Sequence, residues 1–355
     1  MPEQLFIQTN AVDANEVAAF DRTPEGTLEP TGRFPTDGFG TGVARAAMPM
    51  SSEARGVDSQ GALALSDDRE FLFAVNAGSN EISSFAFVDG GGLRLVGKTP
   101  SGGPGPVSIA VHGELLYVAN RFGSGEIVGF TIEADGQLSP LQGSTRPLSL
   151  PDAAPAQVSF THDGRFLVVT ELATDRIVTY RVNGDGRVGR ARSVPSSGPV
   201  PFGFAVDPSN RLIVSEAFNT APDGSAVSSY RLGSSGQPVV ISASVPTRQT
   251  AACWVVATAD GKYAYTSNTL SDSITGYRID AEGRLTLLTA DGRTGVTGAG
   301  SFPSDMAISG DGRNLYVLNP RTQTIGVFAV QTDGSLVLQP FVGGVPSSAV
   351  GMAIR

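Results

Sequence analysis

The chain has one cysteine, two histidines and one tryptophan among 355 residues, and each scarcity removes a class of chemistry. A lone Cys253 excludes an intrachain disulfide and any zinc site built on cysteines, so the redox compartment stays open. Basic residues are outnumbered, 25 Lys and Arg against 34 Asp and Glu, and the net charge of -9 argues against nucleic acid or an anionic membrane as partner. The first twenty residues, MPEQLFIQTNAVDANEVAAF, lack a basic stretch followed by a continuous apolar one, and no later run reaches membrane-spanning length. The expectation is a soluble, cytoplasmic protein, secreted or periplasmic only if a leader was removed. Helical periodicity is missing throughout. What remains is 44 glycines and 23 prolines punctuating short apolar runs, the pattern of an all-β chain.

Those runs repeat. In residues 303–340, PSDMAISGDGRNLYVLNPRTQTIGVFAVQTDGSLVLQP, a short apolar run at 306–308 meets a Gly-Asp-Gly hairpin signal, and a β-rich run follows at 314–319. After a turn at 320–323 comes the β-branched run 325–330, then Thr-Asp-Gly and an alternating stretch at 335–339. Each unit therefore reads as a four-stranded antiparallel meander. A polar residue closes the second strand of every unit: Asn10, Asn76, Asn120, Glu171, Glu216, Asn268 and Asn319, separated by 66, 44, 51, 45, 52 and 51 positions. A propeller blade takes about 40 to 50 residues, so seven units imply a seven-bladed β-propeller of four-stranded antiparallel blades.

The ends of the chain close the ring. Unit one starts at its second strand, and AVGMAIR at 349–355 aligns with a first strand, so the C-terminal strand joins the N-terminal blade. The whole chain, 1–355, is expected to form one domain, with blades at 5–34 plus 349–355, 60–103, 104–150, 153–199, 200–248, 251–300 and 302–345. An inserted Gly-, Ala- and Ser-rich loop at 35–59 carries the excess of the first interval and reads as a lid, a pocket wall or plain surface.

Antiparallel order puts the seven closing residues, the starts of the inner strands and the 35–59 loop at one face of the disc. The hairpin turns lie at the other, and they carry both histidines, His112 and His162, which leaves no Ser-His-Asp or His-metal scheme. At the first face, Glu171 and Glu216 sit on adjacent blades. If both face the channel mouth, repulsion and partial burial raise one pKa and supply a base for water; the alternative is that each pairs with an arginine. Arg45, Arg55, Arg121, Arg248 and Arg321 are the candidates to bind an anion or oxyanion. Aligned inner strands give one ring of Gly61, Val107, Ala156, Phe202, Cys253, Ser304 and Val350. The next ring is Ala62, Ser108, Gln157, Gly203, Trp254, Asp305 and Gly351. This mouth is mostly apolar: Trp254 and Phe202 are placed to stack on a ring-shaped ligand, an ordinary core role for Trp254 being the alternative, and Gln157 and Asp305 join them as substrate-binding candidates.

The recurring segments DGRFLVVTELATDRIVTYRV (163–182), DGKYAYTSNTLSDSITGYRI (260–279) and DGRNLYVLNPRTQTIGVFAV (311–330), each followed by a turn and an outer strand, resemble the seven-bladed propeller lactonase family. That family holds 6-phosphogluconolactonase-type and carboxymuconate cyclase-type enzymes. The resemblance spans essentially the whole chain and implies a lactonase-like hydrolase, or a lactone-forming cycloisomerase, acting at the channel mouth. A family His at blade four, a family Arg at blade five and a family Glu at blade six fall on Ala156, Phe202 and Trp254, while Glu216 matches the family acid. The expectation is a metal-independent monomer, without cofactor, that uses Glu216 as base, Glu171 to tune it and an arginine at the oxyanion on a small, relatively apolar lactone. A non-catalytic propeller binding a small molecule or a protein is the alternative. A Ca²⁺-dependent, gluconolactonase-like site is the least favoured, because the closing residues are spread around the ring.

Overall fold

The two ends of the chain share one sheet. In the computed structural model, which describes residues 2–42 and 56–355, Val350–Ile354 pairs antiparallel with Gln4–Gln8, setting Phe6 opposite Ala353 and Ile7 opposite Met352. Gln4 and Arg355 exchange both backbone hydrogen bonds at 3.0 and 2.9 Å. Seven sheets result, each an antiparallel meander, and blade one takes its innermost strand from the C-terminus. The fold is a seven-bladed propeller.

The innermost strands are Val350–Ile354, Leu63–Leu65, Pro106–His112, Pro155–Phe160, Pro201–Val206, Ala252–Ala257 and Met306–Ile308 for blades one to seven. They surround the central channel. The second strands are covered on both faces by neighbouring blades, so Phe71–Asn76, Phe166–Glu171, Tyr263–Asn268 and Asn314–Asn319 are buried at every position. Double burial explains why they read as near-continuous apolar runs rather than alternating ones. Outer strands have one covered face; Leu28–Pro35 starts buried and then runs mostly exposed. In blades three, six and seven the outer strand breaks into two short pieces, as at Leu336–Leu338 and Val342–Gly343, around Pro340.

The turn glycines have two uses. Gly26 turns the chain at φ +87, and a Cβ there would lie 2.4 Å from the Asn314 amide of the neighbouring blade, so only glycine fits. Its carbonyl accepts the Tyr316 phenol at 2.8 Å. Tyr117 to Gly186 and Tyr265 to Gly334, each 2.9 Å, repeat that tie at two more seams. Burial pushes the Tyr117 phenol up to about 12, so it stays a donor. The blade seven to blade one seam also carries an ionic clasp, with Arg22 at 3.3 Å from Glu3 and 2.9 Å from Asp311.

Candidate functional site

The inner edge of each innermost strand faces the channel with no further strand to pair with, so its N–H and C=O groups need other partners. Side chains supply them. Ser108 Oγ accepts from Val158 N at 3.0 Å, tying blade three to four. The Gln157 amide pairs with both backbone groups of Phe204, at 2.6 and 2.9 Å, tying four to five. The Gln60 amide does the same with Val255 of blade six, at 2.9 and 2.7 Å. Asp305 accepts from Met306 N at 2.9 Å and from Met352 N at 3.1 Å, tying seven to one.

Gln60 belongs to a strap, residues 56–61, that ends the inserted loop and crosses the channel. Gln60 N donates to Ala156 O at 3.1 Å, Ile109 N to Gly61 O at 2.7 Å, and the Trp254 indole N–H to Ser59 O at 3.0 Å. Gly203 is a close-approach position, since a Cβ there would sit 2.3 Å from Gln60 Oε1. Arg121 fastens the strap. Fully buried, it donates to the carbonyls of Gly56, Asp58 and Pro155 at 2.5 to 3.2 Å. Burial pulls its guanidinium down to about 10 against the opposing pull of Asp58.

Arg121 is therefore a positioning group whose hydrogen bonds go to the chain itself rather than to a ligand. Because Trp254 is the only tryptophan and bonds the strap, its emission reports strap seating. Arg121→Met keeps much of the buried stem and removes the fork. We expect a red-shifted, more quenchable Trp254 emission; a spectrum superimposable on wild type would show that the strap seats without Arg121.

Glu171 and Glu216 do not meet at the channel, contrary to the expectation from strand order. Both are fully buried, and their partners lie outward. Glu216 Oε1 accepts from Gly198 N at 2.9 Å and Ser228 Oγ at 2.6 Å, with Ser196 Oγ at 3.3 Å, and Oε2 accepts from Ser244 Oγ at 2.7 Å. Ser228 and Ser244 sit on the third and fourth strands of blade five, away from the channel. Glu171 accepts from Ser149 N at 2.8 Å, from Ser149 Oγ, and from Thr174 Oγ1 at 2.5 Å. Asn76 and Asn268 do the equivalent work with amides, donating to Ser83 Oγ at 2.7 Å and Thr275 Oγ1 at 2.8 Å. At blades four and five every partner is a donor, and an acceptor-only carboxylate suits that shell better than an amide. No arginine pairs with either glutamate among the described residues.

Phe202 and Trp254 pack against each other with tilted rings, centroids 5.0 Å apart and planes at 53°, inside an apolar cluster with Ala154, Ala156, Val200 and Cys253. They are 2% and 3% exposed, so they form the wall beneath the mouth rather than an open platform. Arg248 is exposed. Arg321, also exposed, lies 4.1 Å over the ring of Phe302, a buried residue three positions before Asp305. Arg45 and Arg55 lie outside the described residues. Gln60, the first residue of blade two as the sequence bounds it, and Ser108, of the second ring, are not among the site candidates that the sequence offers.

At the opposite face His112 and His162 line a cavity of about 460 Å³, with Asp67 3.8 Å from the His112 ring. Among the described residues no group of three His, Cys, Asp or Glu side chains gathers to hold a metal.

The family model described as "Lactonase, 7-bladed beta-propeller" matches residues 14–147 and 52–347. The chain belongs to that family. This lactonase-family chain is 25% identical over 284 residues to a 6-phosphogluconolactonase from Serratia proteamaculans, a match covering 75% of it and 79% of the relative. It is 28% identical over 278 residues to an uncharacterized Lactococcus lactis protein, covering 74% and 78%. Among solved structures, the periplasmic gluconolactonase of Pseudomonas aeruginosa superposes with a TM-score of 0.74 at 19% identity, covering 99% of this chain and 98% of that one. At such identity the likeness shows the fold alone.

Proposed function

We propose that this chain is a lactonase that adds water across the ester bond of a small cyclic ester at the face where the strap crosses the channel. The observation that carries the reading is family membership combined with a built mouth: side chains at three seams, and the Gln60 side chain of a strap pinned by a buried arginine, bind the inner strands at one end of the channel. Relatives bearing the names 6-phosphogluconolactonase and gluconolactonase support the reaction class.

The wall chemistry favours an uncharged lactone over a phosphorylated one. The family His and Arg positions carry Ala156 and Phe202 here, and both lie in the apolar cluster. Arg321, steadied on Phe302, is the rim cation nearest in sequence to the blade seven inner strand; it, Arg248 and the loop arginines Arg45 and Arg55 are the candidates to stabilise the oxyanion that develops on the ester carbonyl. Glu216 and Glu171 enter this reading as the groups that hold blades four and five in shape. A pH-stat screen of unphosphorylated and phosphorylated sugar and aliphatic lactones tests it. We expect kcat/KM to favour unphosphorylated lactones at least tenfold; a preference for the phosphorylated ones would overturn the substrate class, and no turnover on any member would overturn the hydrolase.

A further inference from the structure

Of the side chains that close the channel-facing edges, Ser108, Gln157 and Gln60 are neutral and Asp305 is an acid. The three neutral groups show that hydrogen bonding between blades does not need a carboxyl. Asp305 is nonetheless a carboxyl, 3% exposed, at the mouth end of the blade seven inner strand.

No cation among the described residues compensates it. The strands packed around it are Met306–Ile308, Asn314–Asn319, Val350–Ile354 and Ala252–Ala257, and between them their titratable side chains are Tyr316 and Cys253 alone. The Tyr316 phenol is engaged by Gly26 at the far side of the seam. Among the described residues no Lys, Arg or His forms an ion pair with Asp305. Each Asp305 oxygen accepts a single backbone N–H, and a carboxylate oxygen has two lone pairs, so each keeps one acceptor position unused. A buried, uncompensated carboxyl is costly to keep where serine or glutamine would do the structural work, and such groups concentrate at functional sites.

We infer that Asp305 is the proton-transfer group of the hydrolysis proposed above, on which this inference rests. The Asp305 carboxylate takes a proton from water as the water oxygen bonds to the lactone carbonyl carbon. The ring C–O bond then breaks, and the Asp305 carboxyl returns the proton to the leaving alkoxide, so that lactone and water give one hydroxy acid and the enzyme is regenerated. Burial raises the Asp305 carboxyl from its ordinary 3.8 to about 7, which places it where a base and its conjugate acid are both available near neutrality.

The test compares wild type with Asp305→Asn and Asp305→Ser on whichever lactone wild type hydrolyses fastest. Serine is the residue that already serves blade three, so Asp305→Ser keeps an acceptor for one backbone N–H without the acid. Trp254 emission checks that each variant is folded. We expect kcat/KM of wild type to rise with pH through a midpoint near 7, and both variants to lose at least about a hundredfold. We also expect an infrared carboxyl band that titrates near neutrality in wild type and is missing from both variants. A folded variant that keeps kcat/KM within about threefold of wild type overturns the role of Asp305 while leaving the hydrolase reading in place. So does a wild-type carboxyl band that persists in the variants. A wild type inert on every lactone overturns the hydrolase reading and the proton-transfer role with it.

Discussion

Replacing Glu216 by alanine should lower the stability of the protein by about 3–5 kcal/mol, the cost of removing one partner from a buried, charge-assisted hydrogen-bond shell. The magnitude follows from what is stranded. Gly198 N and the hydroxyls of Ser228 and Ser244 lose an acceptor at 2.6 to 2.9 Å, in a region where Glu216 itself is wholly shielded from water. Glu216→Gln should be far milder. The amide oxygen can take the Oε1 place, and the Ser244 hydroxyl can rotate to accept from the amide nitrogen, leaving a loss of about 1–2 kcal/mol. Because the shell points outward, Glu216→Gln should leave kcat/KM within about threefold. Denaturant unfolding and lactone turnover on the same two variants separate the outcomes. A Gln variant that is stable but inactive would restore Glu216 as the base, whereas a stable Ala variant would remove its structural role.

The second large effect is a dependence of stability on pH that belongs to one residue. Unfolded, the Asp305 carboxyl ionises near 3.8; folded, burial holds it protonated up to about 7. The folded state therefore binds the extra proton between those values. The stability that comes from the neutral carboxyl is fully present below 3.8 and is lost as pH rises through about 7. The whole span is worth about 4 kcal/mol. Asp305→Asn removes that dependence and introduces a different cost, since the amide accepts only one of the two backbone N–H groups and turns its own N–H toward the other, about 1–3 kcal/mol. The two curves must therefore cross. Near pH 4 the variant should be less stable than wild type by about 1–3 kcal/mol, and near pH 8 more stable by a similar amount. Parallel curves would show that Asp305 is solvated or paired and carries no special burden.

What the sequence made legible was the architecture, and the reason is periodic. Turn signals such as Gly310-Asp311-Gly312 bracket Asn314–Asn319, and the double burial of second strands makes them long apolar runs that align between blades. The closing strand was readable because 349–355 has the form of a first strand and 5–10 that of a second. The direction of a side chain at a strand end was not readable. Glu216 closes the second strand of its blade, yet where its carboxylate goes is decided by Ser228 and Ser244, 12 and 28 positions further on, and by the 196–198 turn. The strap was equally hidden, because its partners at Ala156 and Trp254 lie 96 and 195 positions from Gln60 and Ser59. Asp305 falls in the second ring by alignment, but nothing in a linear chain says that an aspartate will find two backbone donors and, among the described residues, no cation.

Where on the propeller the ester is cleaved can be seen in a crystal of the Asp305→Asn variant soaked with the best lactone. We expect ligand density at the strap face of the channel, bounded by Gln60, Trp254 and position 305, with the ester carbonyl turned toward residue 305. Density in the cavity lined by His112 and His162 at the opposite face, with the strap face empty, would contradict it.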